Sequence, residues 1–274
     1  MQIGDVVLRI VHSSDVIVHE AVDPKRVERL AQRLQSDGVL KSPVVVAEAG
    51  GQYVVLDGAT RVSALRELGI RDVLVQIIDY HAPNIQLYAW FHVIVGMPKE
   101  ELLKGIGDLE GIEIKAMDLQ LARSALSLRS ILCYLVLQDG SILAAKGGMN
   151  LEAQAALLND IVDLYKGRAE VYRVTSDEIE DLLEEYPELT AAIVFPCYSR
   201  GEIMRISLNR VKLPMGVTRH IISGRALGLN VDLVMLDSDI PLEQKNIWLQ
   251  GLIRRKIKDK RIRFYQEPVF RFDE

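Results

Sequence analysis

The sequence predicts an α+β protein with two domains, and three observations support this fold class. The apolar run at residues 53–55 leads through Gly58 into apolar residues at helical spacing, which is typical of a strand followed by a helix. Asp139 and Gly140 lie between two further apolar runs and give a strong signal for a β-hairpin. With 274 residues, of which 49% are hydrophobic, the chain can fill two cores.

In the first 80 residues, the elements follow from apolar spacing and from residues that begin or end helices. Residues 16–20 are β-branched and predict a strand that ends in a histidine and a carboxylate. Asp23 as N-cap and Pro24 as first helical residue then start a helix, which Gly38 ends. Further strands are predicted at residues 43–47, before residue 57 and at residues 73–78, and a second helix follows residue 58.

Pro83 marks the expected boundary between a domain of residues 1–82 and a domain of residues 83–274. The pattern of residues 85–95 predicts a helix that contains Trp90. Further helices are predicted within residues 100–126 and at residues 151–165, 175–185 and 242–257, and strands at residues 131–137, 141–145, 170–174, 191–196 and 203–211.

Composition points away from nucleic acid and membranes. The formal net charge is −5 and the isoelectric point is near 5.7, which argue against nucleic acid as the main partner. A basic run at residues 254–263 is the local exception, and either a solvated helix end leading to a final strand or a patch for nucleic acid or another partner explains it. No apolar stretch is long enough to span a membrane and residues 1–4 show no signal-peptide pattern, so we expect a cytoplasmic protein. Cys133 and Cys197 lie in apolar runs, which predicts buried free thiols.

The most informative stretch is the turn at residues 56–61, Leu-Asp-Gly-Ala-Thr-Arg. Because the glycine lies where a strand becomes a helix, amides of the first helical turn point outward with the positive end of the helix dipole behind them. Gly58, Ala59 and Thr60 are therefore candidate phosphate contacts, and Arg61 adds a planar guanidinium that suits phosphate. The same six residues are equally compatible with an ordinary helix start in which the aspartate is the N-cap.

The order of these elements, together with residues 38–43, Gly-Val-Leu-Lys-Ser-Pro, resembles the ParB/sulfiredoxin superfamily over residues 5–80. Sulfiredoxins carry Gly-Cys-His-Arg at the turn, and chromosome-partitioning ParB proteins carry Gly-Glu-Arg-Arg. The Gly-Ala-Thr-Arg of this chain has neither the cysteine nor the Glu-Arg pair. An aspartate before the glycine and a His-Glu pair at residues 19–20 look instead like the free serine kinases of this superfamily, which include siderophore-biosynthesis enzymes.

A second stretch supports the same branch. Residues 213–220, Leu-Pro-Met-Gly-Val-Thr-Arg-His, and residues 224–227 resemble the C-terminal segment of these kinases, which contributes to amino-acid binding. Without the family, Pro214 and Gly216 predict a turn followed by a surface loop with incidental polar residues. With both stretches, the resemblance covers most of the chain.

The resemblance implies an N-terminal nucleotide-binding domain and a C-terminal α/β domain that binds the substrate. Glu20 matches the general base of the family, which accepts the proton of the serine hydroxyl. Asp57 at the turn is well placed to hold Mg²⁺ directly or through water, and Lys41 can reach a phosphate or the substrate. The residues alone also allow a surface glutamate at position 20, a helix N-cap at position 57 and a solvated lysine at position 41.

Free serine carries a carboxylate and an ammonium group, so its site needs a cation and an acceptor or an aromatic face. Arg219 suits the carboxylate, with Thr218 and His220 as further donors. The resemblance implies that Trp90 contacts the substrate, where it can cover the ammonium group or the Cα face, and His19 can orient the base. A core tryptophan and a histidine that merely ends a strand are the alternatives.

We therefore expect phosphorylation of free L-serine to O-phospho-L-serine with ATP or ADP as donor and Mg²⁺ as cofactor. The family implies that the product feeds cysteine synthesis or the diaminopropionate unit of a siderophore. A ParB-like nucleotide-switched regulator that contacts DNA is the main alternative, and its only local support is the basic run. A catalytically silent ligand sensor on the same scaffold is the third. The expected partners are L-serine and an adenine nucleotide, with a homodimer as the candidate assembly.

Overall fold

The computed structural model describes residues 6–263, and the first part of this range forms a five-stranded sheet with two helices. Its elements are β1 (Val7–His12), β2 (Val16–Val18), α1 (Pro24–Asp37), β3 (Val39–Leu40), β4 (Val44–Ala49), β5 (Gln52–Asp57), α2 (Ala59–Glu67) and β6 (Asp72–Ile78). The sheet has the strand order β1-β6-β4-β5-β2. The strands and helices that the sequence predicts before residue 80 are therefore present, and β1 adds an edge strand that it does not predict.

The first helix begins and ends as its sequence predicts. The side chain of Asp23 accepts a hydrogen bond from the amide of Lys25 at 2.9 Å, and Pro24 is the first helical residue. Gly38 ends α1 in the left-handed region at φ 68°, a conformation that glycine adopts without steric cost.

Parallel pairing of β2 and β5 positions the two predicted acidic residues. Val18 lies opposite Val55, and both strands run in the same direction. Residues at the carboxyl ends of such a pair lie at the same edge of a sheet. Glu20, just after β2, and Asp57, at the end of β5, therefore lie on the same side of the molecule.

The remaining chain builds a second sheet, of six strands. Its elements are β7 (Ile85–Ala89), β8 (Phe91–Val95), α3 (Lys99–Gly107), β9 (Glu113–Ala116), α4 (Leu119–Ser127), β10 (Cys133–Leu137), β11 (Ile142–Lys146), α5 (Leu151–Tyr165), β12 (Glu170–Val174), α6 (Ile179–Glu185), β13 (Leu189–Val194), α7 (Arg200–Leu208), β14 (Thr218–Ile222), β15 (Val231–Asp232), α8 (Leu233–Asp237) and α9 (Leu242–Lys258). The sheet has the order β12-β8-β13-β10-β11-β9, while β7 pairs with β14 and β3 with β15.

After β14 the chain returns to the first sheet. Asn246 of α9 exchanges hydrogen bonds with the backbone of Ile10, at 2.8 and 2.9 Å. Fully buried Lys245 donates to Asp72 at 2.6 Å, so a charge pair anchors the same helix inside the protein. Residues 229–253 thus contribute to the core that also holds β1 and α1. The boundary at residues 82 and 83 stays a prediction.

Another core joins the two sheets. Ile17, Val45 and Val54 of the first sheet share it with Leu135 and Ile193 of the second. The cleft beside this core is therefore bordered by the first sheet on one side and by the second part of the chain on the other. None of the helices within residues 6–263 combines the length and the apolar character needed to cross a bilayer.

The expected fold class is confirmed, as are the hairpin at residues 139–140, the helix at residues 151–165 and the strand at residues 170–174. Two predictions are wrong. Residues 85–95 form β7 and β8 instead of a helix, because each run pairs with a distant strand, and Trp90 lies between them. Residues 203–211 are predicted as a strand, but α7 covers residues 200–208.

Local capping explains the second error. Ser199 and Glu202 form a reciprocal capping box at the start of α7, in which each side chain binds the backbone amide of the other residue. The capping box precedes the apolar residues and favours a helix more strongly than their β-branched side chains favour a strand. Cys133 is buried and Cys197 is exposed, so the expectation of a buried thiol holds for the first and is wrong for the second, and neither forms a disulfide. The predicted final strand lies outside the described residues.

Candidate active site

A cavity of about 540 Å³ lies where the carboxyl ends of β2 and β5 meet the segment around β14. Its walls bring together nine of the predicted site residues: His19, Glu20, Asp57, Gly58, Ala59, Thr60, Trp90, Thr218 and Arg219, with His220 as a tenth. Arg26, Arg173 and Arg225 also line it, so with Arg219 four guanidinium groups face three carboxylates, those of Glu20, Asp23 and Asp57. A surplus of positive charge in a cleft favours anionic ligands.

Glu20 is fixed by the segment that precedes β14. The backbone bridges Leu213 in parallel fashion, with hydrogen bonds of 2.8 Å from Leu213 to His19 and from Ala21 to Leu213. The carboxylate accepts hydrogen bonds from the amide of Gly216 at 3.0 Å and from the amide of Thr218 at 2.7 Å. The Thr218 hydroxyl is a third donor to the same carboxylate. A carboxylate offers about four acceptor positions, so one remains for a ligand hydroxyl.

His19 lies behind this carboxylate and is buried. Its Nδ1 is 2.5 Å from the carbonyl oxygen of Val55, and its Nε2 is 2.9 Å from the hydroxyl of Thr218. Burial lowers the pKa of His19, although the nearby Glu20 opposes this effect. Because a carbonyl only accepts, the neutral ring donates from Nδ1 to Val55, which leaves Nε2 as an acceptor that competes with Glu20 for the single hydroxyl proton of Thr218. His19 thus orients the threonine and, through it, the carboxylate.

His220 is turned toward Tyr80, whose hydroxyl lies 2.7 Å from Nε2. Burial above all, together with His19 and Arg200, lowers the pKa of His220 to about 3. Burial also raises the pKa of Tyr80, so the phenol is the donor and the neutral imidazole the acceptor. Tyr80 is a neighbour of the site that sequence reasoning missed, because an isolated tyrosine after a strand carries no local signal.

The glycine turn has the geometry expected of a phosphate-binding turn. Gly58 lies at φ 102° and begins α2, and Ala59 and Thr60 of the first helical turn line the cavity. A side chain at position 58 would collide with the guanidinium of Arg61, so the close approach requires glycine. The N-cap of α2 is Gly58 without a side-chain bond, which shows that the alternative of an Asp57 N-cap is wrong.

Asp57 is instead held by two arginines. The Oδ2 atom accepts a hydrogen bond from Arg61 at 2.5 Å and another from Arg225 at 2.6 Å. Arg61 also donates to the carbonyl oxygens of Ser42 at 3.1 Å and of Pro43 at 2.6 Å, and it does not line the cavity. Its guanidinium thus links Asp57 of the turn to the backbone of residues 42 and 43. A phosphate contact by Arg61 stays a prediction.

Trp90 and Arg219 form one unit. The guanidinium of Arg219 lies over the indole ring, 4.5 Å from its centroid, and the Trp90 amide donates to the carbonyl of Val217 at 3.0 Å. One face of the ring is therefore occupied by the arginine. Apart from this ring contact, the side chain of Arg219 makes no hydrogen bond or ion pair to other residues in the described range, so its guanidinium donors are available to a ligand.

Lys41 lies elsewhere. Its ammonium group pairs with Asp37 at 2.7 Å, and the residue is not part of the cavity wall. A nucleotide contact by Lys41 stays a prediction. The arginines at positions 26, 173 and 225 were missed by sequence reasoning. Only Arg225 lies within a stretch whose resemblance could have revealed it; Arg173, on an edge strand, carries no comparable signal.

The ParB N-terminal domain family matches residues 2–89. The ATP-dependent L-serine kinase SbnI of Staphylococcus aureus is 26% identical over 270 residues, which cover 96% of this chain and 96% of that protein. The ADP-dependent L-serine kinase SerK of Thermococcus kodakarensis is 23% identical over 210 residues, which cover 74% of this chain and 82% of that protein. Among solved structures, SbnI of Staphylococcus aureus with a C-terminal truncation has a TM-score of 0.70 and 25% identity, covering 90% of this chain and 96% of that structure.

The fold thus joins a ParB-like N-terminal domain to a second α/β region. Over most of its length the chain is similar in sequence and fold to the L-serine kinase SbnI.

Proposed function

We propose that the chain is an L-serine kinase that transfers a phosphoryl group from an adenine nucleotide to the hydroxyl of free L-serine. The observation that carries this function is Glu20, an oriented carboxylate in the same cavity as the glycine turn. Kinases need a carboxylate that accepts the substrate proton and donors that hold the phosphates, and the cavity contains both. The names of the relatives, ATP-dependent and ADP-dependent L-serine kinase, support an adenine nucleotide as donor.

In this proposal the cavity has two ends. The nucleotide end consists of Asp57, Gly58, Ala59, Thr60 and Arg225, and the acceptor end of Glu20, Trp90, Arg173, Thr218 and Arg219. Amides of the α2 start hold the phosphates at the nucleotide end. At the acceptor end, Glu20 accepts the hydroxyl proton of serine while the hydroxyl oxygen attacks the terminal phosphorus.

Mg²⁺ fits the donors of the nucleotide end. This cation is typically bound by one or two carboxylates together with substrate phosphates and water, so a single aspartate is sufficient. Asp57 has one oxygen that accepts from both arginines and a second oxygen for which no hydrogen bond is seen among residues 6–263. Asp57 would hold the ion, which would neutralise charge on the phosphates. The described residues contain no cluster of three or more histidine, cysteine or acidic side chains that could hold a metal without a ligand.

Arg219 is proposed to bind the carboxylate of serine. Its guanidinium is oriented by Trp90 and has donors to spare, which suits a planar two-oxygen group. Thr218 and His19 act indirectly, by holding Glu20. We further propose a cytoplasmic protein that works as a homodimer.

The alternative of a DNA-binding regulator depends on the basic run at residues 254–263. These residues lie at and beyond the end of α9, and none of them lines the cavity. The run therefore adds nothing to the nucleotide site and is explained by a solvated helix end.

The direct test is to incubate the purified protein with L-serine, Mg²⁺ and either ATP or ADP, and to look for O-phospho-L-serine by mass spectrometry. We expect the product with at least one nucleotide and none without serine. Nucleotide binding without product, with either donor, would contradict the kinase and favour the silent sensor. Comparison of the two donors decides between ATP and ADP.

A further inference from the structure

Arg173 is a cation in the wall of the cavity that forms no ion pair with other residues of 6–263. It lies on β12, an edge strand of the second sheet, and its side chain is exposed to the cavity. The guanidinium rests on Gly216, where an added Cβ would collide with three of its atoms. A glycine at position 216 is therefore what allows Arg173 to lie next to the backbone amide that holds Glu20.

The guanidinium of Arg173 is open to a ligand. Within the part of the chain that the structure describes, Arg173 makes no side-chain hydrogen bond and no ion pair. Desolvation by the surrounding protein lowers the pKa of Arg173, and Glu20 opposes this effect by attraction through space. The side chain is exposed, so water satisfies its five N–H donors in the free protein, and the planar fork can bind a ligand that supplies oxygens instead.

A second arginine strengthens the requirement for an anion. Arg26, near the start of α1, lines the same cavity and lowers the pKa of Arg173 by repulsion. Two guanidinium groups that converge on one space, each without an acidic partner of its own, stabilise a doubly charged anion between them.

We infer that Arg173, with Arg26, forms a phosphoryl-binding subsite beside Glu20 and that Arg173 contacts the transferred phosphoryl group. This inference rests on the proposed kinase function and deepens it. Arg219, on the other side of the acceptor end, is left to read the carboxylate of serine. Arg173 is then a catalytic residue, because it touches the reacting group.

The reaction gives this subsite a clear task. The serine oxygen forms a bond to the terminal phosphorus of the nucleotide, and the bond from that phosphorus to the bridging oxygen breaks. The hydroxyl proton passes to Glu20, and the electron pair of the broken bond remains on the leaving nucleotide. Charge spreads over the three equatorial oxygens of the phosphoryl group during transfer, and a fixed guanidinium stabilises it there. In the product complex the same guanidinium binds the phosphate of O-phospho-L-serine.

The test compares Arg173→Ala and Arg173→Lys with wild type. We expect kcat to fall about a hundredfold to a thousandfold in the alanine variant, the range seen when one donor to a developing charge is removed. The binding of serine, measured by calorimetry, should change little. Methylguanidinium added to the alanine variant should restore part of the rate, an effect that a merely structural residue would not give. Lysine should retain part of the activity, because it keeps the charge but loses the fork.

A binding measurement separates this role from that of Arg219. Calorimetry with O-phospho-L-serine should show weaker binding by Arg173→Ala than by wild type, whereas Arg219→Ala should weaken the binding of serine as well. Arg33→Ala, which removes an exposed arginine from the same helix as Arg26, is the matched control and should behave as wild type. If the alanine variant does not fold, the same rate and binding measurements on Arg173→Lys test the inference.

Two results would overturn the inference. One is a wild-type rate in Arg173→Ala. The other is a raised KM for serine with an unchanged kcat, which would assign the carboxylate to Arg173. Failure of the proposed function looks different, since wild type itself would then form no phosphoserine.

Discussion

The two ends of the cavity hold their charges in different ways. At the nucleotide end, one oxygen of Asp57 accepts hydrogen bonds from both Arg61 and Arg225, so the charges are paired within the protein. At the acceptor end, backbone amides and a hydroxyl hold Glu20, while Arg173 and Arg219 have no acidic partner in residues 6–263.

Because of this difference in charge pairing, we expect one end of the cavity to control ligand affinity and the other to control the reaction rate. A metal on the second oxygen of Asp57 would share the carboxylate with two arginines, so its affinity would reflect competition between these cations. At the acceptor end the base is already oriented, and Arg173 and Arg219 form no ion pair with other residues of 6–263, so no such competition is expected there. Donors that are fixed in advance are worth more in a transition state than donors that must reorganise. We therefore expect changes at the acceptor end to affect the rate, and changes at the nucleotide end to affect the requirement for nucleotide and metal.

The largest effect is expected for Glu20→Gln. This change removes the base but keeps the size of the side chain and one acceptor oxygen. A general base contributes about a hundredfold to ten-thousandfold, so formation of phosphoserine should fall by that factor. Nucleotide affinity, measured by calorimetry, should stay close to that of wild type, because the change lies at the other end of the cavity.

Glu48→Gln, on β4 and outside the cavity wall, is the matched control for the loss of a carboxylate. Near-normal turnover of Glu20→Gln would remove Glu20 from the mechanism. A parallel loss of nucleotide affinity would instead show that the two ends are coupled, and would break the comparison.

A smaller effect is expected for Arg219→Ala. If Arg219 pairs with the carboxylate of serine, loss of a charge-assisted hydrogen bond worth roughly 1.5–3 kcal/mol should raise the KM for serine about tenfold to hundredfold. Nucleotide affinity should change far less. Arg219→Lys should rescue only in part, because an ammonium group lacks the planar fork and the stacking on Trp90.

Serine amide makes the assignment of Arg219 sharper. This analogue lacks the carboxylate, so it should be a poor substrate for wild type and should lose little more in Arg219→Ala. The two substrates and the two proteins form a double-mutant cycle. Independent, additive losses in that cycle would show that Arg219 does not read the carboxylate.

Asp57→Asn tests the nucleotide end. The amide is a weaker ligand for Mg²⁺ than the carboxylate, so the Mg²⁺ concentration at half-maximal rate should rise about tenfold, within the range for losing a residue that supports a bound metal. The change also weakens the pairing with Arg61 and Arg225, and thermal unfolding of the variant measures that loss separately. A variant that folds normally and titrates with Mg²⁺ like wild type would show that Asp57 serves only to hold the arginines.

The parts of the site also differ in how far they could be predicted from the sequence. The glycine turn could be predicted because it is local: a strand, a glycine at positive φ and a helix follow one another within ten residues. Glu20 and Arg219 were found through the resemblance to a family. Arg173 could not be found in either way, because its place in the cavity depends on β12 pairing with β8 and on the absence of a side chain at Gly216.

The two wrong elements have a related physical reason. Residues 85–95 and 203–211 are both apolar runs without clear punctuation, and such runs fit a strand or a helix equally well. Their partners decide the outcome. The first run splits into β7 and β8, which pair with strands more than seventy residues away along the chain. The second run is preceded directly by the capping box of Ser199 and Glu202, which starts α7.

The last expected effect is that of acid on stability instead of rate, and it concerns what keeps the acceptor end rigid. Buried His92 lies between Tyr165, at 2.8 Å, and the carbonyl of Gly216, at 3.2 Å, so it supports the loop that holds Glu20. Burial lowers the pKa of His92 to about 4, although the Gly216 carbonyl opposes this effect. The unfolded chain therefore binds a proton near pH 6.5 that the folded protein does not take up until near pH 4. Stability from this group is complete above pH 6.5 and is lost as the pH falls.

Between pH 7.5 and pH 5 this single histidine should cost about 2 kcal/mol of the free energy of unfolding. His92→Gln keeps a donor for Gly216 and an acceptor for Tyr165 but does not titrate. Urea unfolding at both pH values should therefore show a pH dependence about 2 kcal/mol smaller in the variant, even if the variant is less stable at pH 7.5. His19 and His220 are present in both proteins, so the difference isolates His92. An equal pH dependence in the two proteins would mean that His92 takes up its proton at the same pH in the folded and the unfolded chain, so that burial does not keep the ring neutral at pH 5.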